Sequence, residues 1–168
     1  SDPSCEVASM SEPRKRFVTN TELMLRCRML ADMIANDGEN QIHLVAVGRG
    51  GWVPTRLISG FLEAKGFDVT TSSTIISSYT GTQRGKITFH DDLRIESGRA
   101  NWIIDDLVDS GSTMEAILAR ARQTHAGMII QTAVVFYKPK STHTPTAYAE
   151  VVDSGEWIVF PYETEAME

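Results

Sequence analysis

Residues 103–113 read Ile-Ile-Asp-Asp-Leu-Val-Asp-Ser-Gly-Ser-Thr. An apolar run from Trp102 to Ile104 predicts a buried strand that delivers Asp105 and Asp106 to its carboxyl end. Two adjacent carboxylates cannot both be buried unpaired without a large desolvation cost, so they call for solvent, a cation or hydroxyl donors. Asp109 adds a third acid. Ser110, Gly111, Ser112 and Thr113 then lead into a helix, where small residues let several backbone N–H groups converge on one anion at the positive end of the helix dipole. Ser112 and Glu115 have the spacing of a capping box. Acids beside a phosphate cradle suit a phosphorylated sugar with its hydroxyls and a metal ion. The plain alternative, a strand and a capped helix joined by an Asp-rich turn, leaves three aspartates and a run of hydroxyls without a purpose.

Working outward, His43–Val47 is a short apolar run that predicts a second buried strand, followed by Gly48-Arg49-Gly50-Gly51 and a helix opened by Pro54 with Leu57, Ile58, Phe61 and Leu62 on its inner face. A guanidinium between glycines can meet an anion with backbone N–H groups alongside. Upstream, residues 10–19 form a polar, basic arm. From Thr21 the apolar spacing predicts a helix capped by Asn20 or Thr21 and stopped by Gly38, with Leu23, Met29, Leu30, Met33 and Ile34 as core. Val69–Ser78 reads as a strand, residues 79–90 as a mobile loop with strand extensions, and 128–137, 148–153 and 157–160 as further strands. Alternating strands and helices predict an α/β fold with a mostly parallel sheet, whose site lies at the carboxyl ends of strands near the switch in strand order. Residues 1–9 are read as an expression remnant or disordered tail, and 10–168 as one domain.

Sixteen basic and 22 acidic residues leave a net charge of -6, which gives no general attraction to nucleic acid or an anionic membrane. No apolar run approaches the ~20 residues of a membrane span. The only cysteines, Cys5 and Cys27, make no disulfide framework or zinc pattern and read as reduced thiols of a cytoplasmic protein. His43, His90, His125 and His143 lack metal-ligand spacing and read as structural or surface residues.

The 103–113 segment closely resembles the substrate signature of type I phosphoribosyltransferases, with Ser110 where threonine is usual. VAVGRGGWVP (residues 45–54) resembles the pyrophosphate loop of the 6-oxopurine enzymes of that family, and EWIVFPYE (156–163) the closing segment of the xanthine–guanine type. The resemblance spans roughly residues 42–163. It implies a central sheet with a small hood built from terminal segments, and a Mg²⁺-dependent transfer of the phosphoribosyl group of phosphoribosyl pyrophosphate (PRPP) to N9 of hypoxanthine, guanine or xanthine. Asp105 and Asp106 would hold the ribose hydroxyls, directly or through Mg²⁺. Residues 110–113 would hold the 5′-phosphate, Gly48, Arg49 and Gly50 the pyrophosphate, and Asp109 the proton at purine N7.

Lys138, which ends the 128–137 strand, would donate to the purine O6. By itself it reads as a solvated lysine beside a proline turn. An ammonium can only donate, which favours a 6-oxo over a 6-amino group. Trp157 would stack on the base and the backbone of Ile158 would read its edge, while Tyr162 stands where tryptophan is commoner, without functional consequence. Ser78 and Tyr79 would open a loop that folds over the site. Arg84 and Lys86 are candidates for pyrophosphate contact and equally for solvated loop charges. The same kinship implies a non-proline cis peptide, with Gly48–Arg49 as the candidate bond, and a homodimer or homotetramer. Two competing readings are a transferase for another base (orotate, uracil or adenine) and a PRPP-sensing RNA-binding regulator of the same fold. Lys138 and Trp157 argue against the first and the acidic charge against the second.

Overall fold

The computed structural model describes residues 12–80 and 83–168, except for the side chains of 78–80 and 83–86. The expectation for residues 1–9 therefore lies outside the described residues. In chain order the elements are β1 (Arg14–Phe17), α1 (Asn20–Ala35), β2 (Gln41–Gly48), α2 (Trp52–Ala64), β3 (Asp68–Thr80), β4 (Gln83–Phe89), β5 (Ala100–Val108), α3 (Ser112–Thr124), β6 (Ile130–Tyr137), β7 (Ala147–Val151) and β8 (Glu156–Val159). A short 3-10 helix, Thr164–Met167, follows.

Six strands form one sheet in the order β4-β3-β2-β5-β6-β7. All its pairings are parallel except β3 with β4. β2 is central and buried from Ile42 to Val47, mostly by apolar side chains, as a strand covered on both faces must be. The alternation of side chains divides the core. Ile42, Leu44, Trp102, Ile104, Ala133 and Val135 face α1 and α2. Val45, Val47, Ile103 and Val134 face Met114, Ile117 and Ala121 of α3. The chain passes from β2 to β3 on one side and later to β5 on the other, so strand order switches between β2 and β5. That junction is where open α/β sheets place their ligands.

Several local expectations are corrected. Thr19 caps α1, its side chain accepting from the Glu22 N–H, because it precedes the first helical residue. Leu23, Leu30 and Ile34 are core, but Met29 and Met33 are exposed at 43% and 39%. The apolar stripe is thus wider than the face that packs. α2 starts at Trp52, two residues before Pro54. The stretch read as a loop from 79 to 90 contains β4, paired antiparallel with β3. The basic arm is a strand: β1 pairs in parallel with β8, setting Lys15 beside Trp157 and Arg16 beside Ile158. Arg16 also reaches Glu150 of β7 at 2.9 Å, which fastens this terminal hood to the main sheet.

Candidate active site

The acids sit where the sheet switches. β2 and β5 are hydrogen-bonded neighbours with Ala46 opposite Ile104, so Gly48–Gly51, leaving β2, lies beside Asp105 and Asp106 on β5. The packing is close enough to require glycine. A Cβ on Gly50 would come 2.4 Å from Asp106 Oδ2, and one on Gly51 would meet Ile104 O at 2.4 Å. The Gly48–Arg49 peptide is cis, as the resemblance implies, and the Arg49 side chain is exposed.

Both acids are partly exposed, and both carboxyls hold their protons more tightly than usual. For Asp105 burial is the main cause and the charge of Asp106 the next. For Asp106 burial again leads, opposed by hydrogen bonds from Asp105 and Tyr162. Asp105 Oδ1 accepts from the Asp106 N–H at 2.8 Å. Such a pair gains from an arriving cation or from hydroxyl donors.

Asp105 also lines a cleft of about 140 Å³ with Asp109, Ser110, Gly111 and Thr113. Gly111 has φ +92°, and a Cβ there would meet Ser141 Oγ, His143 N and Thr142 Oγ1 at 2.6–2.8 Å. This geometry corrects the capping-box expectation. Gly111 occupies the cap position of α3, and Ser112 is already helical, so its hydroxyl makes no cap. Ser110 Oγ instead accepts from the Ser112 N–H at 3.3 Å. Residues 110–113 thus combine small side chains with the start of a helix, an arrangement able to accept an anion. A larger cleft of about 500 Å³, lined by Trp52, Thr55, Arg56 and Glu63, contains none of these acids.

On the other flank, Lys138 overturns the reading of a solvated lysine. It is 4% exposed. Its Nζ donates to Glu156 O at 2.8 Å and stands 3.9 Å from Asp109 Oδ1. Trp157, one residue beyond that carbonyl, is 52% exposed, whereas Ile158 is buried and offers only its backbone. Asp109, Lys138 and the start of β8 are therefore one cluster.

Two further residues, to which the sequence reading gave no role, stand in the site. Lys140 Nζ lies 3.0 Å from Asp109 Oδ1; the spacing of two lysines around Pro139 was the available signal. The Tyr162 hydroxyl lies 2.8 Å from Asp106 Oδ2. Ser78 and Tyr79 lie in β3, but their side chains, and those of Arg84 and Lys86, fall outside the described residues. His43 is buried between Thr70 Oγ1 and Ser72 Oγ, a structural role as expected.

Residues 14–168 match the model of the phosphoribosyl transferase domain. The chain is 32% identical over 125 residues to the xanthine-guanine phosphoribosyltransferase of Nitratidesulfovibrio vulgaris, covering 73% of this chain and 69% of that protein. It is 29% identical over 157 residues to the enzyme of the same name from Idiomarina loihiensis, covering 89% and 88%. Among solved structures, the Helicobacter pylori xanthine-guanine-hypoxanthine phosphoribosyltransferase superposes with a TM-score of 0.78 at 19% identity, over 92% of this chain and 97% of that one. Purine phosphoribosyltransferase from Pyrococcus horikoshii gives 0.72 at 24%, over 89% and 94%; at such identities both establish the fold alone. With acids, hydroxyl-rich turn and glycine loop assembled at one strand switch, and with that match over nearly its whole described length, the chain belongs to the phosphoribosyltransferase family.

Proposed function

We propose that this enzyme salvages 6-oxopurines, transferring the 5-phosphoribosyl group of PRPP to N9 of hypoxanthine, guanine or xanthine and releasing pyrophosphate. The observation that carries the reading is the buried Lys138 ammonium, held by Glu156 O beside the exposed Trp157 and within 3.9 Å of Asp109. A buried ammonium with one hydrogen bond to the β8 backbone has protons left to donate, and a 6-oxo group accepts where a 6-amino group cannot. The names of the curated relatives, xanthine-guanine phosphoribosyltransferases, support the same substrate class.

In this mechanism residues 110–113 bind the 5′-phosphate, Asp105 and Asp106 hold the ribose hydroxyls, and Gly48, Arg49 and Gly50 receive the pyrophosphate. The C1′–oxygen bond breaks ahead of C1′–N9 bond formation, so positive charge grows on the sugar near the two acids. Trp157 stacks on the base, the Ile158 backbone meets its edge, and Asp109 accepts the proton at N7. The β3–β4 arm, with Ser78 and Tyr79, extends past the end of β2, since Gly48 pairs with Ile75, and covers the reacting sugar.

Hard carboxylate oxygens suit Mg²⁺, and the two acids crowd negative charge that a cation would relieve. Among the described residues no three His, Cys, Asp or Glu converge on one point. Asp105 and Asp106 would therefore share the ion with substrate oxygens, where it supplies neutralisation of the leaving pyrophosphate. Among the described residues no helix is long and apolar enough to cross a membrane. Cytoplasmic residence and a homodimer or homotetramer belong to the same proposal, supported by kinship alone. The test is product formation from PRPP and Mg²⁺ with hypoxanthine, guanine, xanthine, adenine, uracil and orotate in turn. Nucleotide from one or more oxopurines, abolished by EDTA, is expected. PRPP binding with no product from any oxopurine would overturn the substrate reading.

A further inference from the structure

Tyr162 lies just past β8, stacked on Phe160 with centroids 5.4 Å apart and planes 5° from parallel. Its hydroxyl stands 2.8 Å from Asp106 Oδ2 and 3.1 Å from Gly50 O. Those acceptors belong to two other segments, the acid pair on β5 and the glycine loop after β2. Gly50 also runs so near the same carboxylate that an added Cβ would fall 2.4 Å from Oδ2. One phenol thus stands where the purine segment, the pyrophosphate loop and a ribose acid meet. It has a single proton for two acceptors, and a carboxylate is the stronger of them, in keeping with the shorter distance. Phenylalanine would fill the same ring volume and keep the stack, so the packing does not require the hydroxyl.

We propose that Tyr162 is a positioning residue, whose hydroxyl donates to the Asp106 carboxylate and packs beside the Gly50 carbonyl, holding the acid next to the loop so that both meet the sugar and its leaving pyrophosphate in one arrangement. The inference rests on the reading of Asp106 as a ribose ligand. Tyr162 acts through Asp106 and Gly50.

The test compares Tyr162→Phe, Phe160→Leu and Asp106→Asn in the full chain. The readouts are steady-state kinetics, PRPP and nucleoside monophosphate titrations with Mg²⁺, and melting temperature. For Tyr162→Phe, KM and Kd for PRPP and Kd for the monophosphate should rise about tenfold, with KM for purine at saturating PRPP within about twofold, as expected for one lost charge-assisted hydrogen bond. Because Tyr162 shares a segment with Trp157, a purely structural loss would loosen purine binding at least as much. A purine KM that rises as far as that for PRPP, or no change in either, overturns the proposal. Phe160→Leu removes the stack and keeps the hydroxyl. It should lower the melting temperature with a smaller effect on PRPP, and an equal PRPP effect at equal melting loss would assign the defect to packing and overturn the proposal. Asp106→Asn should weaken PRPP at least as much as Tyr162→Phe. Intact PRPP affinity in Asp106→Asn would remove the ribose reading and the proposal together, whereas loss there without loss in Tyr162→Phe overturns the proposal alone.

Discussion

Replacing Gly50 by alanine tests the contact on which the site's geometry turns. The new Cβ would lie 2.4 Å from Asp106 Oδ2, 2.6 Å from Cγ and 2.7 Å from Oδ1, against an ordinary contact of 3.4 Å or more. Loop and acid must therefore separate by about 1 Å, and a displacement of ~1 Å between catalytic groups costs on the order of 100-fold in rate. The carboxylate has little room to yield, since Oδ2 is already engaged by Tyr162. The expected result is a fall of about 100-fold in kcat/KM for PRPP, while overpacking at one site costs about 1–3 kcal/mol of stability. Gly60→Ala is the control. It lies in α2, and its Cβ would meet only the flexible end of Arg56 at 3.4 Å. A glycine-to-alanine change inside a helix should stabilise by about 0.5–1 kcal/mol, here without loss of activity. Wild-type kcat/KM in Gly50→Ala, at an unchanged melting temperature, would show that the loop does not rest on Asp106 in the working enzyme.

Asp109→Asn should lower kcat by roughly 100-fold or more while PRPP Kd changes little, the mark of a lost proton acceptor, and equal losses in both would remove that role. Lys138→Met should cut kcat/KM for oxopurines by about 10–100-fold and leave adenine turnover no worse, as measured across a base panel; an equal loss on every base would sink the O6 assignment. Asp105→Asn should abolish PRPP binding yet stabilise the ligand-free protein. The folded Asp105 binds its proton more tightly than a free aspartate of 3.8, so its stabilisation is complete below that value and disappears as pH rises through the raised folded value. The gain in melting temperature from Asp105→Asn should therefore grow with pH and vanish in acid, and a gain independent of pH would refute the cause given for the shift.

What the sequence revealed depended on how local the cause was. Asp105, Asp106 and the 110–113 turn were legible because strand, acids and helix start lie within eleven consecutive residues. β2 was legible because burial on both faces writes a continuous apolar run. β1 was not, since Arg14–Phe17 has no apolar signature and becomes a strand only by pairing with β8, far away in the chain. The exposure of Met29 and Met33 was hidden for a related reason. Spacing identifies an apolar stripe, but only the packing of α1 against α2 and the sheet decides which part of it is covered. Lys138 by itself read as a surface lysine because its acceptor, Glu156 O, lies at the start of β8, in another segment of the chain. Tyr162 read as a replacement without functional consequence because both its acceptors come from other segments.

The charges of the site divide in a way that follows from this topology. Asp109, on the exposed turn after β5, faces two lysines, one buried and one exposed, at 3.9 and 3.0 Å. Two cations of the protein itself thus flank this single carboxylate. Asp105 and Asp106, still within β5, have each other and a tyrosine as side-chain hydrogen-bond partners, and burial raises the proton affinity of both. On the proposed reading, neutralising them from within would take a lysine or arginine that occupied the space of the sugar. On that reading, leaving them unneutralised destabilises the ligand-free fold and reserves the space for a cation-bearing substrate, so the same desolvation that weakens the empty protein would favour binding of the ligand that relieves it.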